Sequence, residues 1–320
     1  MPRNHSAPPL PRPRGVWSAA VTEALLSGCV PSAPVGAGGA DPYGEDLQLA
    51  LYTCYELHYR GFAGVDPGRE WDTALLSVRA SLEERFLAAL RRDVPVPEPL
   101  DGLLAGLLVQ PAGSDGVPQF LARRGTLEHL REYARQRSLY HLKEADPHAW
   151  VLPRLSGRAK AAMAAVEFDE FGGGRAERVH ARLFADLMAD LGLNPGYGHY
   201  LDDGYAEMLA LVNAMSLFAL HRSLRGVLVG HFAAVEITSP PASRHLARAM
   251  ARTGAGPAAQ HFYDEHVEAD AVHEQVVRNE VIGGLLDDEP ELEPDIAFGV
   301  AATSFLEDRL GRRFLARWAA

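Results

Sequence analysis

Three side chains able to hold a metal leave one stripe of a helix in the segment His266-Val-Glu-Ala-Asp270-Ala-Val-His273. At ~100° per residue, a side chain four positions on lies about 40° from the first, and one seven positions on lies about 20° to the other side. Two imidazoles and a carboxylate on one stripe suit a first-row transition metal, iron above all, and so point to redox chemistry. A solvated polar face is the competing reading, because Asp264, Glu265, Glu268 and Glu274 crowd the same segment. Glu268 faces away from the stripe, which favours two separate uses of this helix.

Three further places could complete a site. The first is Glu167-Phe-Asp-Glu170-Phe-Gly-Gly-Gly-Arg-Ala-Glu-Arg-Val-His180. Regular helix would set Glu170 and His180 about 80° and ~15 Å apart, too far for one metal cluster. Glycine costs about 1 kcal/mol relative to alanine in a helix, so three in a row need a local reason. A break at Gly172–Gly174 folds Glu170 back toward His180; a helix–turn–helix corner with a surface histidine is the alternative. The second is Glu144, which ends a long helix just before Pro147 and would otherwise be a surface carboxylate. The third is Glu236, deep in an apolar helical run. A carboxylate there is costly unless it is metal-bound or paired with a buried Arg or Lys.

The elements that must position these groups read as helices almost throughout from Glu45. Leu47, Leu51, Cys54, Tyr55 and His58 recur at helical spacing, as do Leu75, Val78, Leu82, Phe86 and Leu90. Further helices are expected near 118–145, 155–171, 175–192, 204–238, 242–253, 257–288 and 292–318. Pro147, Gly172–Gly174, Pro195, Pro240-Pro241 and Pro290 punctuate them. No alternating strand pattern or internal repeat appears. The fold class is therefore all-α, a single helical-bundle domain over residues 41–320. Residues 1–40 form a Pro/Gly-rich tail and linker with a short helix, of which residues 1–14, with five prolines, are expected to be disordered.

Composition bounds the function. The 320 residues carry 31 Lys/Arg against 42 Asp/Glu, a net charge of −11, and no basic run, which argues against nucleic acid. No apolar run approaches the ~20 residues that cross a bilayer, and the basic start lacks the apolar core of a secretory signal. Cys29 and Cys54 make no disulfide framework and no strong nucleophile. Gly172-Gly-Gly-Arg lacks the preceding strand and the Lys-Ser/Thr end of a phosphate loop. A cytoplasmic protein acting on a small molecule is expected, with no nucleic-acid or membrane partner.

Together these segments resemble the haem-oxygenase-like di-iron oxidases, iron-containing redox enzymes, from about Leu51 to Arg309. The most specific matches are Glu-Phe-Gly-Gly-Gly-Arg-Ala-Glu-Arg-x-His and Glu-His-Val-Glu-Ala-Asp-Ala-Val-His-Glu; Leu51-Tyr-Thr-Cys-Tyr-Glu-Leu-His58-Tyr-Arg-Gly-Phe62 also looks like a family signature, without an assigned role for Glu56 or His58. The resemblance implies a haem-oxygenase-like bundle whose ligands are Glu144, Glu170, His180, Glu236, His266, Asp270 and His273, with Glu236 bridging. It implies two iron ions as cofactors and O2 as co-substrate. The usual Glu-x6-His pairing is absent, since Gly173 stands seven residues before His180. The Glu-x9-His spacing with an upstream Glu144 looks like the N-oxygenating branch, which carries one more carboxylate. Three neutral histidines and four carboxylates give a ligand charge of −4, which balances two Fe(II). A lone axial histidine in an apolar slot, as haem needs, fits poorly here. N-oxygenation of an amine, guanidine or aminoimidazole-type nitrogen in specialised metabolism is the implied activity. Oxidative C–C cleavage or desaturation of an aliphatic amino or fatty acid is the alternative, and a metal-free helical binding protein is a third reading. An external electron donor and a homodimer are left open.

Overall fold

Two of the helices begin on a side-chain cap. Asp72 accepts hydrogen bonds from the amides of Ala74 and Leu75, and Thr126 accepts from that of His129, so each starts a helix by satisfying donors that the first turn leaves free. The computed structural model describes residues 7–28, 39–96, 99–109 and 116–319. In chain order the helices are α1 Val16–Ser27, α2 Glu45–Glu56, α3 Thr73–Asp93, α4 Leu100–Leu108, α5 Val117–Arg124, α6 Leu127–His141, α7 Asp146–Ala149, α8 Gly157–Glu170, α9 His180–Asp190, α10 Ala206–Leu220, α11 Arg225–Thr253, α12 Pro257–Val276, α13 Gly283–Asp288 and α14 Glu293–Trp318. There is no strand among the described residues, as the helical periodicity requires.

The long helix α11 is the spine. It packs along α12 on one side and α14 on another, while α9 covers α12 and α10 links α2 to α14. Its contact with α14 is backbone to backbone. A Cβ on Gly230 would sit 2.0 Å from the carbonyl oxygen of Ile296, and one on Gly299 would sit 2.0 Å from that of Val227. One glycine on each helix, set against the backbone of the other, lets the axes approach closely. The core that results contains Leu228, Phe232, Met250, Phe262, Leu306 and Phe314, all essentially excluded from solvent.

Several sequence expectations are corrected. Pro240-Pro241 do not end a helix: α11 runs through both. They offer no N–H to the carbonyls of Glu236 and Ile237, and packing on both sides outweighs the ~3 kcal/mol that an interior proline costs. The run expected as one helix over 118–145 is two, parted at Gly125. Helix α4 was not anticipated. Of the tail expected to be disordered, residues 1–6 lie outside the described residues, but Ala7–Arg14 is laid against the bundle. Arg14 donates to the carbonyls of Leu201, Asp202 and Gly204, and Arg12 pairs with Asp202. Most of the expected linker, with Cys29, lies outside the described residues. Cys54 is buried in α2, and burial pushes its thiol up to about 12. No helix is long and apolar enough to cross a membrane, among the described residues.

The glycine crossing yields a stability prediction. Gly230→Ala forces α11 and α14 apart and is expected to cost about 1–3 kcal/mol in overpacking, read as a lowered thermal midpoint. An unchanged midpoint would show that the two helices are not held at this distance.

A candidate metal centre

Each candidate ligand is placed by a different local device. Glu236 projects from the middle of α11, and His266, Asp270 and His273 form one buried stripe on α12. Glu268 is exposed, so the two faces of α12 serve separate uses. Glu170 is the last residue of α8 and His180 the first of α9. Between them Gly172, Gly173 and Gly174 all have left-handed backbone, with φ of 77°, 60° and 79°. A Cβ on Gly172 would meet the Val179 amide nitrogen at 2.6 Å. This is the chain reversal expected from the spacing, and it brings His180 Nδ1 to 2.8 Å from Glu170 Oε2. Glu144 lies in the turn between α6 and α7 and is buried, not a surface carboxylate. The next residue, Ala145, has φ 73°, ψ −36°, a conformation that non-glycine residues rarely adopt.

All seven predicted residues converge, in two adjacent groups. Glu144, His180 and His266 bring ligand atoms within 4.8 Å of one another, and so do Glu170, Glu236, Asp270 and His273. The carboxylate that touches imidazoles of both groups is Glu170, 2.8 Å from His180 and 3.4 Å from His273. Glu236, expected to bridge, lies 3.3 Å from His273 within the second group.

The donor atoms fit metal ions. Glu144 Oε2, Glu236 Oε2, His266 Nε2 and His273 Nδ1 are buried and have no hydrogen-bond partner, and His180 Nδ1 has only the carboxylate of Glu170 beside it. Buried polar atoms without partners are rare, and here they face one another. The opposite edges of two rings are engaged. His266 Nδ1 donates to the Phe262 carbonyl at 2.7 Å, leaving Nε2 for a metal, while His273 Nε2 donates to Asp169 at 3.0 Å, leaving Nδ1. Orientation of a ligating imidazole by a carbonyl or carboxylate behind it is the usual arrangement in metal sites. His141 Nδ1, 2.6 Å from Glu144 Oε1, steadies that carboxylate in the same way. Sequence reasoning missed Asp169 and His141. Their nearness in sequence to Glu170 and Glu144 was the available signal, but only the turn geometry aims them inward.

Without metal the cluster stores protons. Burial and the neighbouring Asp270 raise Glu236 to about 8. Burial alone would lower His266, but Glu144 and Asp270 outweigh it and raise the imidazole to about 10. His273 is raised further against burial, by Asp270, Glu170 and Glu236. Burial also opposes the charge on Glu170, yet His180 and His273 hold it down at about 2. Glu167, one turn before Glu170, has neither oxygen partnered, and burial with Glu170 and Glu236 nearby raises it to about 9.

These shifts fix the sign of a pH dependence. Below their raised values His266 and Glu236 hold protons that a metal must displace, and competition eases as pH rises. Fe(II) binding near neutral pH is expected to release more than one proton per chain, and apparent affinity is expected to climb from about pH 6 to about pH 8. Calorimetry in buffers of different ionisation enthalpy checks this; a heat independent of buffer would refute it.

A cavity of about 600 Å³ opens onto the cluster, touching His141, Glu144, Glu170, Glu236, His266 and Asp270. Its other walls include Tyr133, Phe232, Met215, Leu310 and Phe314, with the charged Arg137, Asp308 and Arg312. That volume suits a small metabolite. No curated protein matches the chain. The sequence profile of the iron-containing redox enzymes matches residues 131–308, more than half of the chain and a span that holds all seven candidate ligand residues. The match covers the buried carboxylate and imidazole cluster, and the chain belongs to the iron-containing redox enzyme family, an oxidoreductase group.

Proposed function

We propose that the protein is an O2-dependent non-haem di-iron oxygenase that transfers oxygen to an amine, guanidine or aminoimidazole-type nitrogen of a small metabolite. The observation that carries this reading is the pair of adjacent ligand groups reached in common by Glu170. One metal needs one such group; two side by side, with four carboxylates among seven ligands, suit two irons better than zinc, which takes three or four ligands, or a haem. Glu144, upstream of the Glu170–His180 pair, corresponds to the additional carboxylate of the N-oxygenating branch. Two irons held there would activate O2, and a nitrogen lone pair can accept an oxygen atom without prior cleavage of a C–H bond.

The chain's own residues then have definite tasks. Asp169 and the Phe262 carbonyl hold His273 and His266 at fixed rotation, and His141 holds Glu144. Glu167, protonated at neutral pH while the site is empty of metal charge, is a proton store beside Glu170 and Glu236. Phe232, Met215, Leu310 and Phe314 give the cavity apolar walls that limit water. Tyr263 lines the same cavity with its buried hydroxyl unpartnered, so it can meet a polar substrate group.

Two experiments test the reading. His266→Ala and His273→Ala should each lower iron stoichiometry in protein loaded anaerobically with Fe(II). If both still hold two irons, the role of α12 is wrong; if the unmodified protein holds none, a metal-free binding protein is the better account. Asp169→Asn, which weakens the bond orienting His273, should reduce metal affinity or turnover about 10–100-fold. O2-dependent turnover of a panel of amines, guanidines and aminoimidazoles should give hydroxylamine, nitroso or nitro products. An alkene or a lost carbon fragment would instead assign C–C cleavage or desaturation to the same site.

A further inference from the structure

None of the hydrogen bonds or ion pairs of residues 51–62 goes to the seven candidate ligands, yet the segment grips the turn that presents one of them. Lys143, the residue before Glu144, is 1% exposed, and its Nζ lies 2.9 Å from Oε2 of Glu56, which is fully buried at the end of α2. The ammonium sits over the rings of Tyr52 and Tyr59, 4.6 and 4.4 Å from their centroids. Tyr52, Glu56 and Tyr59 follow at four and three residues, the spacing of one helical stripe. The second oxygen of Glu56 accepts from the Tyr197 hydroxyl at 2.6 Å and the Arg60 amide at 3.3 Å, so the carboxylate is fully engaged. Arg60 reaches the same turn by another route, donating to the Leu142 carbonyl at 3.2 Å while its guanidinium stacks on Tyr197.

Both grips fall beside Ala145, the one non-glycine residue with positive φ among the described residues. Such a conformation relaxes unless its surroundings over-determine it. The contacts from Glu56 to Lys143 and from Arg60 to Leu142 supply that constraint, and Glu144 lies between the gripped residues and the strained one. A buried lysine–carboxylate pair is weak evidence of stabilisation in itself, because desolvation offsets much of the attraction, and it is better understood as a device that selects one geometry.

We infer that Glu56, Lys143 and Arg60 are positioning residues for the iron group formed by Glu144, His180 and His266, and that the Leu51–Phe62 segment exists to lock the Glu144 turn. This rests on the two-iron reading above. The lock acts on one group only, since Glu170, Glu236, Asp270 and His273 come from α8, α11 and α12.

The test compares the full-length protein with Lys143→Met, Glu56→Gln/Lys143→Met and Arg60→Gln. The double variant removes both buried charges together, and Arg60→Gln leaves the buried pair intact, so the series does not depend on one variant folding. Each is loaded anaerobically with Fe(II), and with Co(II) for its ligand-field spectrum, alongside a thermal melt. Folded variants are expected to keep one metal with affinity close to that of the unmodified protein and to bind the second at least tenfold more weakly, with the Co(II) spectrum losing one component. A merely stabilising role would lower the melting midpoint and leave stoichiometry and spectrum unchanged. Two metals bound as tightly as in the unmodified protein by every folded variant would overturn the inference. The unmodified protein binding fewer than two metals would instead overturn the two-iron reading, so the two failures are distinct.

Discussion

Four carboxylates and three imidazoles share one buried volume, and every other part of the fold answers to that fact. Like charges taken out of water repel strongly unless protons or cations stand between them. The chain meets the first condition itself: Glu236 is raised by burial, and protonated histidines offset Glu170 and Glu144. Such a cluster adds little to folding. The stability that holds it closed comes from apolar helix packing around it, chiefly α11 against α12 and α14.

Helix α11 shows how tightly packing and site are joined. Gly230 sets its distance from α14, and six residues on Glu236 enters the cluster. One turn beyond, Pro240 leaves the Glu236 carbonyl without its helical donor. Backbone closeness, candidate ligand and proline fall within about three turns of one element. A displacement of the α11–α14 crossing is therefore carried directly to a carboxylate of the cluster.

Much of this was legible in the residue order. The α12 stripe follows from helical period alone, and the glycine triplet announced a break because regular helix would have kept Glu170 and His180 apart. What was not legible is instructive. Two adjacent prolines look like a helix end, because local propensity carries no information about packing on both flanks. Glu144 was visible as a carboxylate near a proline, but its burial depends on a turn held from α2, some ninety residues earlier in the chain. The tail looked disordered by composition, and composition does not register that Arg14 finds the carbonyls of Leu201, Asp202 and Gly204 in the distant connection between α9 and α10. Local periodicity predicts which face a residue takes; it does not predict which far segment meets that face.

The two oriented rings of α12 turn different nitrogens toward the centre, Nε2 from His266 and Nδ1 from His273. Nδ1 is bonded to Cγ, whereas Nε2 lies across the ring, so His266 has the longer reach from the same helix. Side-chain amides divide along the same line. Asparagine carries its oxygen at about the reach of Nδ1, and glutamine at about the reach of Nε2. The two histidines, though chemically identical, thus have different nearest surrogates: asparagine at 273 and glutamine at 266.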